Sequence, residues 1–216
     1  MWIQARQAKT HEGTMSRATW IVVLIKDFHT AKSRLAPALA PSNRRALAEA
    51  NAARALGAAL DVAATIAVCG SADAAALARV MGAVVVSEPV PGGQNAAATL
   101  GLAEVTARGG EAALLLSSDL PLVTATGLQR LLRRAAAESG ALALAVPALG
   151  RHGTNALFLR PPGEFDLQFG DASLPRFAEE ARHRRRTFVI HQEASLALDL
   201  DEPSDLAVWA KLQKTA

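Results

Sequence analysis

The chain has 216 residues, half of them apolar, and its 23 basic and 20 acidic side chains leave a net charge of +3 at pH 7. This length suits one domain with a full core, and the small charge excess argues against a nucleic-acid partner. The single cysteine, Cys69, excludes a disulfide within the chain, and no apolar run reaches the roughly 18 residues that span a bilayer.

The first segment, residues 1–19, is polar and carries charges of both signs. It lacks the apolar stretch of a secretory signal. We therefore expect a flexible extension over residues 1–19 and one domain over residues 20–216. We also expect a cytoplasmic protein with no membrane partner, and we keep a homodimer open.

Short apolar runs alternate with alanine-rich segments along the rest of the chain. The first kind predicts buried strands and the second predicts helices. Ser42 and Thr124 are predicted helix caps, and Gly82 and Gly140 are predicted helix ends. Strands are expected at 20–25, 65–68, 83–87, 112–117, 141–146, 155–159 and 187–190, and helices at 42–60, 72–81, 96–107, 124–139, 172–182 and from 203 onward. The alternation predicts an α/β, Rossmann-like fold: a mostly parallel sheet between helices, with a mixed second half.

Three aspartates lie at the ends of predicted strands. Asp119 follows the strand 112–117, and Asp199 and Asp201 belong to Leu198-Asp-Leu-Asp-Glu-Pro203. Carboxylates at strand ends can converge on one Mg²⁺, which is suited to polarising a phosphate. Asp199 and Asp201 share a face if this segment is extended, so a cation or cationic partner is expected there. The alternative is a helix cap and an acidic turn.

A basic loop follows the first strand and carries Lys26, Lys32, Ser33 and Arg34. In a doubly wound sheet this position is a usual nucleotide site, where cations can neutralise a triphosphate and the departing pyrophosphate. The loop has neither a P-loop nor a dinucleotide-binding glycine pattern. The alternative is a solvated surface loop.

Two further groups of polar residues are candidates for ligand binding. In Gly92-Gly-Gln-Asn95, the glycines permit close approach, and the amides of Gln94 and Asn95 can bind a base or ribose; Asn95 is otherwise a helix cap. Thr154, Ser173 and the Gly170 amide could donate hydrogen bonds to an anion, although capping alone also explains such residues.

These segments resemble the guanylyltransferases of coenzyme F420 biosynthesis, which act on 2-phospho-L-lactate or phosphoenolpyruvate. The matching segments occur in the order of that family and span the chain from about Trp20 onward. They are Ala31-Lys-Ser-Arg-Leu35, Gly93-Gln-Asn-Ala-Ala97, Ser118-Asp-Leu-Pro-Leu122, Gly153-Thr-Asn-Ala-Leu157, Phe169-Gly-Asp-Ala-Ser173 and Leu198-Asp-Leu-Asp-Glu-Pro-Ser-Asp-Leu206.

The resemblance implies a nucleotidyltransferase fold and a role for each group of residues. It implies Mg²⁺ on Asp119, Asp199 and Asp201, and GTP beside the basic loop with Gln94 and Asn95. It implies the acceptor phosphate on Thr154, Gly170 and Ser173. The chain departs from the family at Ala148, where an acid is common, and at Phe177, where a histidine is common. Both departures are expected near the acceptor.

The resulting hypothesis is GMP transfer from GTP to a phosphorylated three-carbon acid, with release of pyrophosphate. Phosphoenolpyruvate, 2-phospho-L-lactate and 3-phospho-D-glycerate are the expected acceptors. Lys32, Arg34 and Asp119 are the candidate catalytic residues, acting by positioning and charge neutralisation. The alternatives are a nucleotidyltransferase with a molybdopterin or sugar-phosphate acceptor, and a non-catalytic nucleotide-binding relative.

Overall fold

A computed structural model describes residues 19–90 and 92–213. The predicted extension therefore lies outside the described residues up to residue 18, whereas Thr19 already belongs to the first strand. The strands are β1 (Thr19–Ile25), β2 (Ala64–Cys69), β3 (Val84–Ser87), β4 (Ala112–Ser117), β5 (Leu142–Pro147), β6 (Thr154–Arg160) and β7 (Thr187–Ile190). The helices are α1 (Pro41–Leu60), α2 (Ala72–Met81), α3 (Gly93–Ala107), α4 (Ala125–Ala136), α5 (Ser173–His183), α6 (Ala194–Ala197) and α7 (Pro203–Gln213), with a 3-10 turn at Ser33–Leu35.

The seven strands form one sheet in the order β3-β2-β1-β4-β6-β5-β7. The neighbours β3, β2, β1 and β4 are all parallel, and β5 is parallel to β7. In contrast, β6 is antiparallel to both β4 and β5. The predicted α/β architecture is confirmed, including the mixed second half. Among the described residues, no helix is long and apolar enough to cross a bilayer.

Two hydrophobic layers hold the helices against the sheet. One layer packs α1, α2, α4 and α6 on one face, and the other packs α3 and α5 on the opposite face. The central strands are buried on both faces, which is why their sequences are continuous apolar runs. Alanine dominates α1 and α3 because these helices lie close to the sheet; a Cβ at Gly101 of α3 would meet a Val22 methyl carbon at 2.3 Å.

Two predicted helix ends are confirmed, and three are wrong. Thr124 caps α4 by accepting from the Gly127 amide, and Gly82 ends α2 in the left-handed region at φ 96°. Gly140 does not end α4, because the helix already ends at Ala136 and Ala137 is its C-cap. Ser42 is not a cap, because α1 begins at Pro41, whose fixed φ suits the first turn. Asn95 is not a cap either, since α3 begins at Gly93.

Candidate active site

The candidate site lies at the end of the sheet that is formed by the carboxyl ends of the parallel strands. Because β6 runs opposite to β4, its first residue, Thr154, lies at the same end of the sheet as the end of β4. The loops after β1 and β4, the β5–β6 turn and the C-terminal segment therefore meet there. They enclose two adjoining chambers of about 360 Å³ each.

The first chamber, which we call the apolar chamber, lies over the ends of β1, β2 and β3. Apolar side chains supply much of its wall, and charged groups lie at its ends. Its lining comprises Leu24, Ile25, Lys26, Asp27, Phe28, Thr30, Ala31, Lys32, Ala48, Gly70, Glu88, Gly93, Gln94, Ala97, Ser117, Ser118, Asp119 and Asp201. A space of this kind suits a flat organic ring with a charged tail.

The second chamber, which we call the polar chamber, lies over β4, β5 and β6. Charged residues and hydrogen-bonding groups supply most of its wall. Its lining comprises Lys26, Thr30, Ala31, Lys32, Ser33, Arg34, Gln94, Ser117, Asp119, Ala148, Arg151, Gly153, Thr154, Asn155, Gly170, Asp171, Asp199 and Asp201. This composition suits a small anion.

Lys32 and Asp119 belong to the wall that the two chambers share. The Lys32 ammonium donates to the Asp119 carboxylate at 2.9 Å, and the Ser117 hydroxyl donates to it at 2.6 Å. Only 6% of the Lys32 side chain and 21% of the Asp119 side chain are exposed. Burial would raise the pKa of Asp119, but the charge of Lys32 and these hydrogen bonds hold it below its usual value. Asp119 is therefore a carboxylate with a fixed orientation.

The backbone of Lys32 is also constrained. Its φ of 61° is in the left-handed region, which is uncommon for a residue other than glycine. The 3-10 turn Ser33–Leu35 begins directly after it, and the Leu35 amide donates to the Lys32 carbonyl at 2.9 Å. This turn directs the Lys32 side chain back towards β4.

Residues 193–205 form a C-terminal arm that brings Asp199 and Asp201 to the polar chamber. The Asn155 amide of β6 donates to the carbonyls of Leu196 and Ala197 at 3.0 and 2.8 Å. The Leu200 amide donates to the Asp119 carbonyl at 3.3 Å. The arm is therefore fastened to β6 and to the loop that carries Asp119.

The far end of the arm is fixed by Glu193. Its carboxylate accepts two hydrogen bonds from Arg130 of α4, at 2.8 and 2.7 Å, and caps α6 through the Ser195 amide. The hydrogen bonds from Arg130 lower the pKa of Glu193 to about 2, although burial opposes this shift.

Arg151 links the β5–β6 turn to the C-terminal arm. It donates to Asp199 at 2.8 Å and to Asp205 at 2.7 Å. Asp205 also accepts from the backbone amides of Asp201 and Glu202 at 2.8 and 2.6 Å. Burial raises the pKa of Asp199, the negative charge of Asp119 raises it further, and Arg151 opposes both.

The three predicted metal ligands reach the same end of the sheet, and each has a cationic partner. Asp119 pairs with Lys32, Asp199 with Arg151, and Asp201 with Arg34 at 2.7 Å. Within residues 19–90 and 92–213, no cluster of three or more acidic, histidine or cysteine side chains is arranged to hold a metal ion. The donors are nevertheless hard carboxylate oxygens, and two of them repel each other, which a divalent cation would relieve. These carboxylates fit Mg²⁺ if the metal ion replaces the cationic partner of at least one of them.

Two of the three residues expected to hold the acceptor phosphate line the polar chamber. Thr154 and Gly170 belong to its wall, and Gly170 has φ 121°, which a side chain would strain. Ser173 does not line the wall. It is fully buried, and its hydroxyl donates to the Thr154 hydroxyl at 3.0 Å, so it orients Thr154 from behind.

The basic loop and the amide pair are divided between different environments. Lys26 and Gln94 line both chambers, and Ser33 and Arg34 line the polar chamber. Asn95 lines neither chamber. Its side-chain oxygen accepts from the Phe169 amide at 2.7 Å, and its nitrogen donates to the Phe169 carbonyl at 3.4 Å. Asn95 therefore ties the Phe169 loop to α3, which differs from the expected contact with a nucleotide.

The two departures from the family pattern also lie in different environments. Ala148 lines the polar chamber, as expected. Phe177 is fully buried and lines neither chamber; it packs edge-on against Phe169, with 5.0 Å between the ring centroids. Through Phe169, Phe177 supports the loop that carries Gly170.

Several residues of the chambers were missed from the sequence, among them Arg151, Glu88 and Ser117. Arg151 lies in a turn whose role depends on the distant C-terminal arm, so local sequence contains no signal for it. Glu88 follows β3 and Ser117 ends β4. Their positions at strand ends are the same signal that identified Asp119, and this signal could have identified them.

The sequence of this chain is similar to those of known guanylyltransferases. The chain is 37% identical over 191 residues to the phosphoenolpyruvate guanylyltransferase of Sphaerobacter thermophilus, covering 87% of this chain and 90% of that protein. It is 30% identical to the 2-phospho-L-lactate guanylyltransferase of Methanothermobacter thermautotrophicus, covering 87% of this chain and 82% of that protein.

A solved structure has the same fold at low sequence identity. A nucleotidyl transferase from Methanothermobacter thermautotrophicus superimposes with a TM-score of 0.65 at 18% identity, covering 93% of this chain and all of that one. Residues 19–209 match the model of the family described as guanylyl transferase CofC like. On the match to this model and on the identity with curated members, the chain belongs to the guanylyl transferase CofC like family.

Proposed function

We propose that this protein transfers GMP from GTP to the phosphate of a small phosphorylated three-carbon acid and releases pyrophosphate. The observation that carries the proposal is the pair of adjoining chambers that meet at Lys32 and Asp119. One chamber suits a base and the other suits a small anion, so the two substrates can meet at the shared wall. Family membership selects the nucleotide and the class of acceptor.

The apolar chamber takes the guanosine part of GTP. Its apolar wall can cover the faces of a purine ring, and Lys26 and Lys32 supply positive charge towards the polar end. The triphosphate then lies beside the shared wall, where these cations offset its charge. Gln94 lines both chambers and is suited to bind the ribose or the α-phosphate.

The polar chamber takes the acceptor. The Thr154 hydroxyl and the Gly170 backbone offer hydrogen bonds to its phosphate, and Ser173 fixes the orientation of Thr154. Arg34 and Arg151 supply positive charge to its carboxylate or phosphate. Candidates of the right size and charge are phosphoenolpyruvate, 2-phospho-L-lactate and 3-phospho-D-glycerate.

Asp119, Asp199 and Asp201 would hold Mg²⁺. The metal would polarise the phosphate oxygens of GTP and neutralise charge on the leaving pyrophosphate. With a divalent cation on these carboxylates, Lys32, Arg34 and Arg151 would each be free to pair with a phosphate instead of a carboxylate. The paired state therefore keeps the cations close to where the substrates bind.

The chemical step is an in-line displacement at the α-phosphorus. An ionised phosphate oxygen of the acceptor forms the new P–O bond, and the bond to the β-phosphate breaks with its electrons leaving on pyrophosphate. An acceptor phosphate is already ionised near pH 7, so no strong general base is required. Lys32 holds the reacting groups together and offsets charge at the shared wall. The product is a diphosphate-linked guanosine of the kind that coenzyme F420 biosynthesis consumes.

The test is pyrophosphate release from GTP and Mg²⁺ in the presence of each of the three acids in turn. We expect release with at least one acid, none without an acceptor, and none when EDTA removes the metal. Mass spectrometry should detect the acid joined to GMP.

Asp119→Asn tests the shared wall, and Asp61→Asn, a surface carboxylate at the end of α1, is the matched control. We expect Asp119→Asn to lose about 10²- to 10³-fold in kcat, because a proposed Mg²⁺ ligand is removed and Lys32 loses the carboxylate that orients it. Full activity in Asp119→Asn would refute the catalytic assignment. Turnover with sugar phosphates and with none of the three acids would refute the acceptor class.

A further inference from the structure

Glu88 lies in the apolar chamber, at the opposite end from Asp119. It follows β3, and its amide donates to the Cys69 carbonyl at 3.0 Å, which fixes it beside the end of β2. The order β3-β2-β1-β4 separates it from Asp119 by three strand spacings, about 14 Å. A nucleoside monophosphate can therefore lie across the strand ends, with its base at Glu88 and its phosphate at Asp119.

Gly70, at the end of β2, leaves space in front of the Glu88 carboxylate. A Cβ at this position would lie 3.3 Å from the second carboxylate oxygen and 3.1 Å from the Asp27 amide. Any larger residue would press on both groups. Glycine therefore keeps the carboxylate accessible from the chamber.

The Glu88 carboxylate is held more weakly than the other carboxylates that line the apolar chamber. Asp119 and Asp201 have ion pairs with Lys32 and Arg34, and Asp27 accepts from the His29 amide at 3.0 Å. Within the described part of the chain, Glu88 forms no ion pair, and the one hydrogen bond that its carboxylate accepts is a long contact of 3.4 Å from the Gly92 amide. A carboxylate has about four acceptor positions, so most of those on Glu88 can receive a ligand's donors.

The chemistry of the bases decides which ligand matches this carboxylate. Guanine presents two adjacent donors, its ring N1–H and its 2-amino group, which two carboxylate oxygens can accept together. Adenine presents a ring acceptor at the same position and would be repelled. Cytosine and uracil each present one donor beside an acceptor. Guanine is therefore the base that a free carboxylate favours most.

We propose that Glu88 is the specificity-determining residue for the base, accepting hydrogen bonds from N1–H and the 2-amino group of guanine. This inference rests on the proposed use of GTP and assigns its recognition to one side chain. In this arrangement, neither the phosphates of GTP nor the acceptor contacts Glu88. Its effect should therefore be on nucleotide affinity and selection, with little effect on kcat.

The test compares wild type and Glu88→Gln with GTP, ITP, ATP, CTP and UTP. ITP is the sharp probe because inosine lacks only the 2-amino group. We expect Glu88→Gln to lose about 10- to 100-fold in kcat/KM for GTP, chiefly through KM, because one of two charge-assisted hydrogen bonds is lost. The preference for GTP over ITP should shrink about 10-fold. ATP should gain relative to GTP, since an amide can pair with adenine.

Glu111→Gln removes an exposed carboxylate outside both chambers and should match the wild type. An equal loss with all five nucleotides, or an unchanged preference for GTP over ITP, would overturn the assignment. If Glu88→Gln does not fold, Glu88→Asp keeps the charge but withdraws it by one methylene. Glu88→Asp should then raise the KM for GTP and retain the order of preference among the five nucleotides.

Binding without turnover separates this inference from the proposed reaction. Calorimetry with GDP and IDP measures base selection when no acceptor is present. We expect GDP to bind wild type about 10-fold more tightly than IDP, and the difference to disappear in Glu88→Gln. Failure of GMP transfer with this binding pattern intact would refute the reaction alone. Equal binding of GDP and IDP by wild type would refute the role of Glu88.

Discussion

The apolar and polar chambers share a wall but are built in opposite ways. The apolar chamber is formed by β1, β2, β3 and the helices between them, so consecutive segments supply most of its lining. The polar chamber depends on the β5–β6 turn, the loop before α5 and the C-terminal arm, which are far apart in sequence. Packing positions the first chamber, whereas ion pairs and side-chain hydrogen bonds position the second. The acceptor side should therefore be the more sensitive to charge changes.

The largest effect is expected at the shared wall, where a change should affect both chambers. Lys32→Gln leaves the Asp119 charge without its nearest cation and removes a phosphate partner. We expect a loss of about 10³-fold in kcat, with higher KM values for both substrates. Arg108→Gln removes a surface cation paired with Glu104 at the far end of α3 and should have no effect. A loss confined to the KM of one substrate would place Lys32 in only one chamber.

Acidification should weaken the support of the C-terminal arm. The folded pKa of Glu193 is about 2, below its ordinary value of 4.5, so its contribution is complete above pH 4.5 and is lost as pH falls towards 2. Between pH 5 and pH 2, the wild type should lose about 3 kcal/mol more free energy of unfolding than Glu193→Gln. Urea denaturation at several pH values measures this. A difference between the two proteins that stays constant with pH would contradict it.

Arg151→Gln should affect binding in the polar chamber and leave binding in the apolar chamber unchanged. It leaves Asp199 and Asp205 without their shared cation, so we expect the free energy of unfolding to fall by about 1–3 kcal/mol. The KM for the acceptor should rise about 10-fold while the KM for GTP stays unchanged. Arg182→Gln, which removes an exposed arginine paired with Glu179, is the matched control. An equal rise in both KM values would mean that Arg151 supports the whole cleft.

The smallest effects on kinetics are expected at Gln94 and Asn95, and they should differ between these two neighbouring side-chain amides. Gln94→Ala removes a group that lines both chambers, and its main effect should be a rise of about 5-fold in the KM for GTP. Asn95→Ala releases the Phe169 loop, so the KM for the acceptor should rise to a similar extent and the free energy of unfolding should fall by about 1 kcal/mol. If Asn95→Ala instead raised the KM for GTP and Gln94→Ala raised the KM for the acceptor, Asn95 would be assigned to nucleotide binding.

Most of the fold could be predicted from the sequence because its elements are locally defined. The strands 112–117 and 187–190 have the predicted bounds, and α2 has the predicted span from Ala72 to Met81. The predicted cap of α1 was wrong because Pro41 begins the helix before Ser42. The short helix α6 was missed because four residues show no periodicity, and a tertiary contact with Arg130 supports its cap.

By itself, the sequence determined which strands carry polar side chains at their ends, and this was sufficient to predict one end of an α/β sheet as the site. Only the tertiary structure decided the partners. It placed Ser173 behind Thr154, turned Asn95 towards Phe169, buried Phe177, and paired each aspartate with its own cation. Strand periodicity is a local property and can be seen in the chain. Side-chain pairing depends on strand order and on the antiparallel direction of β6, which bring distant residues together.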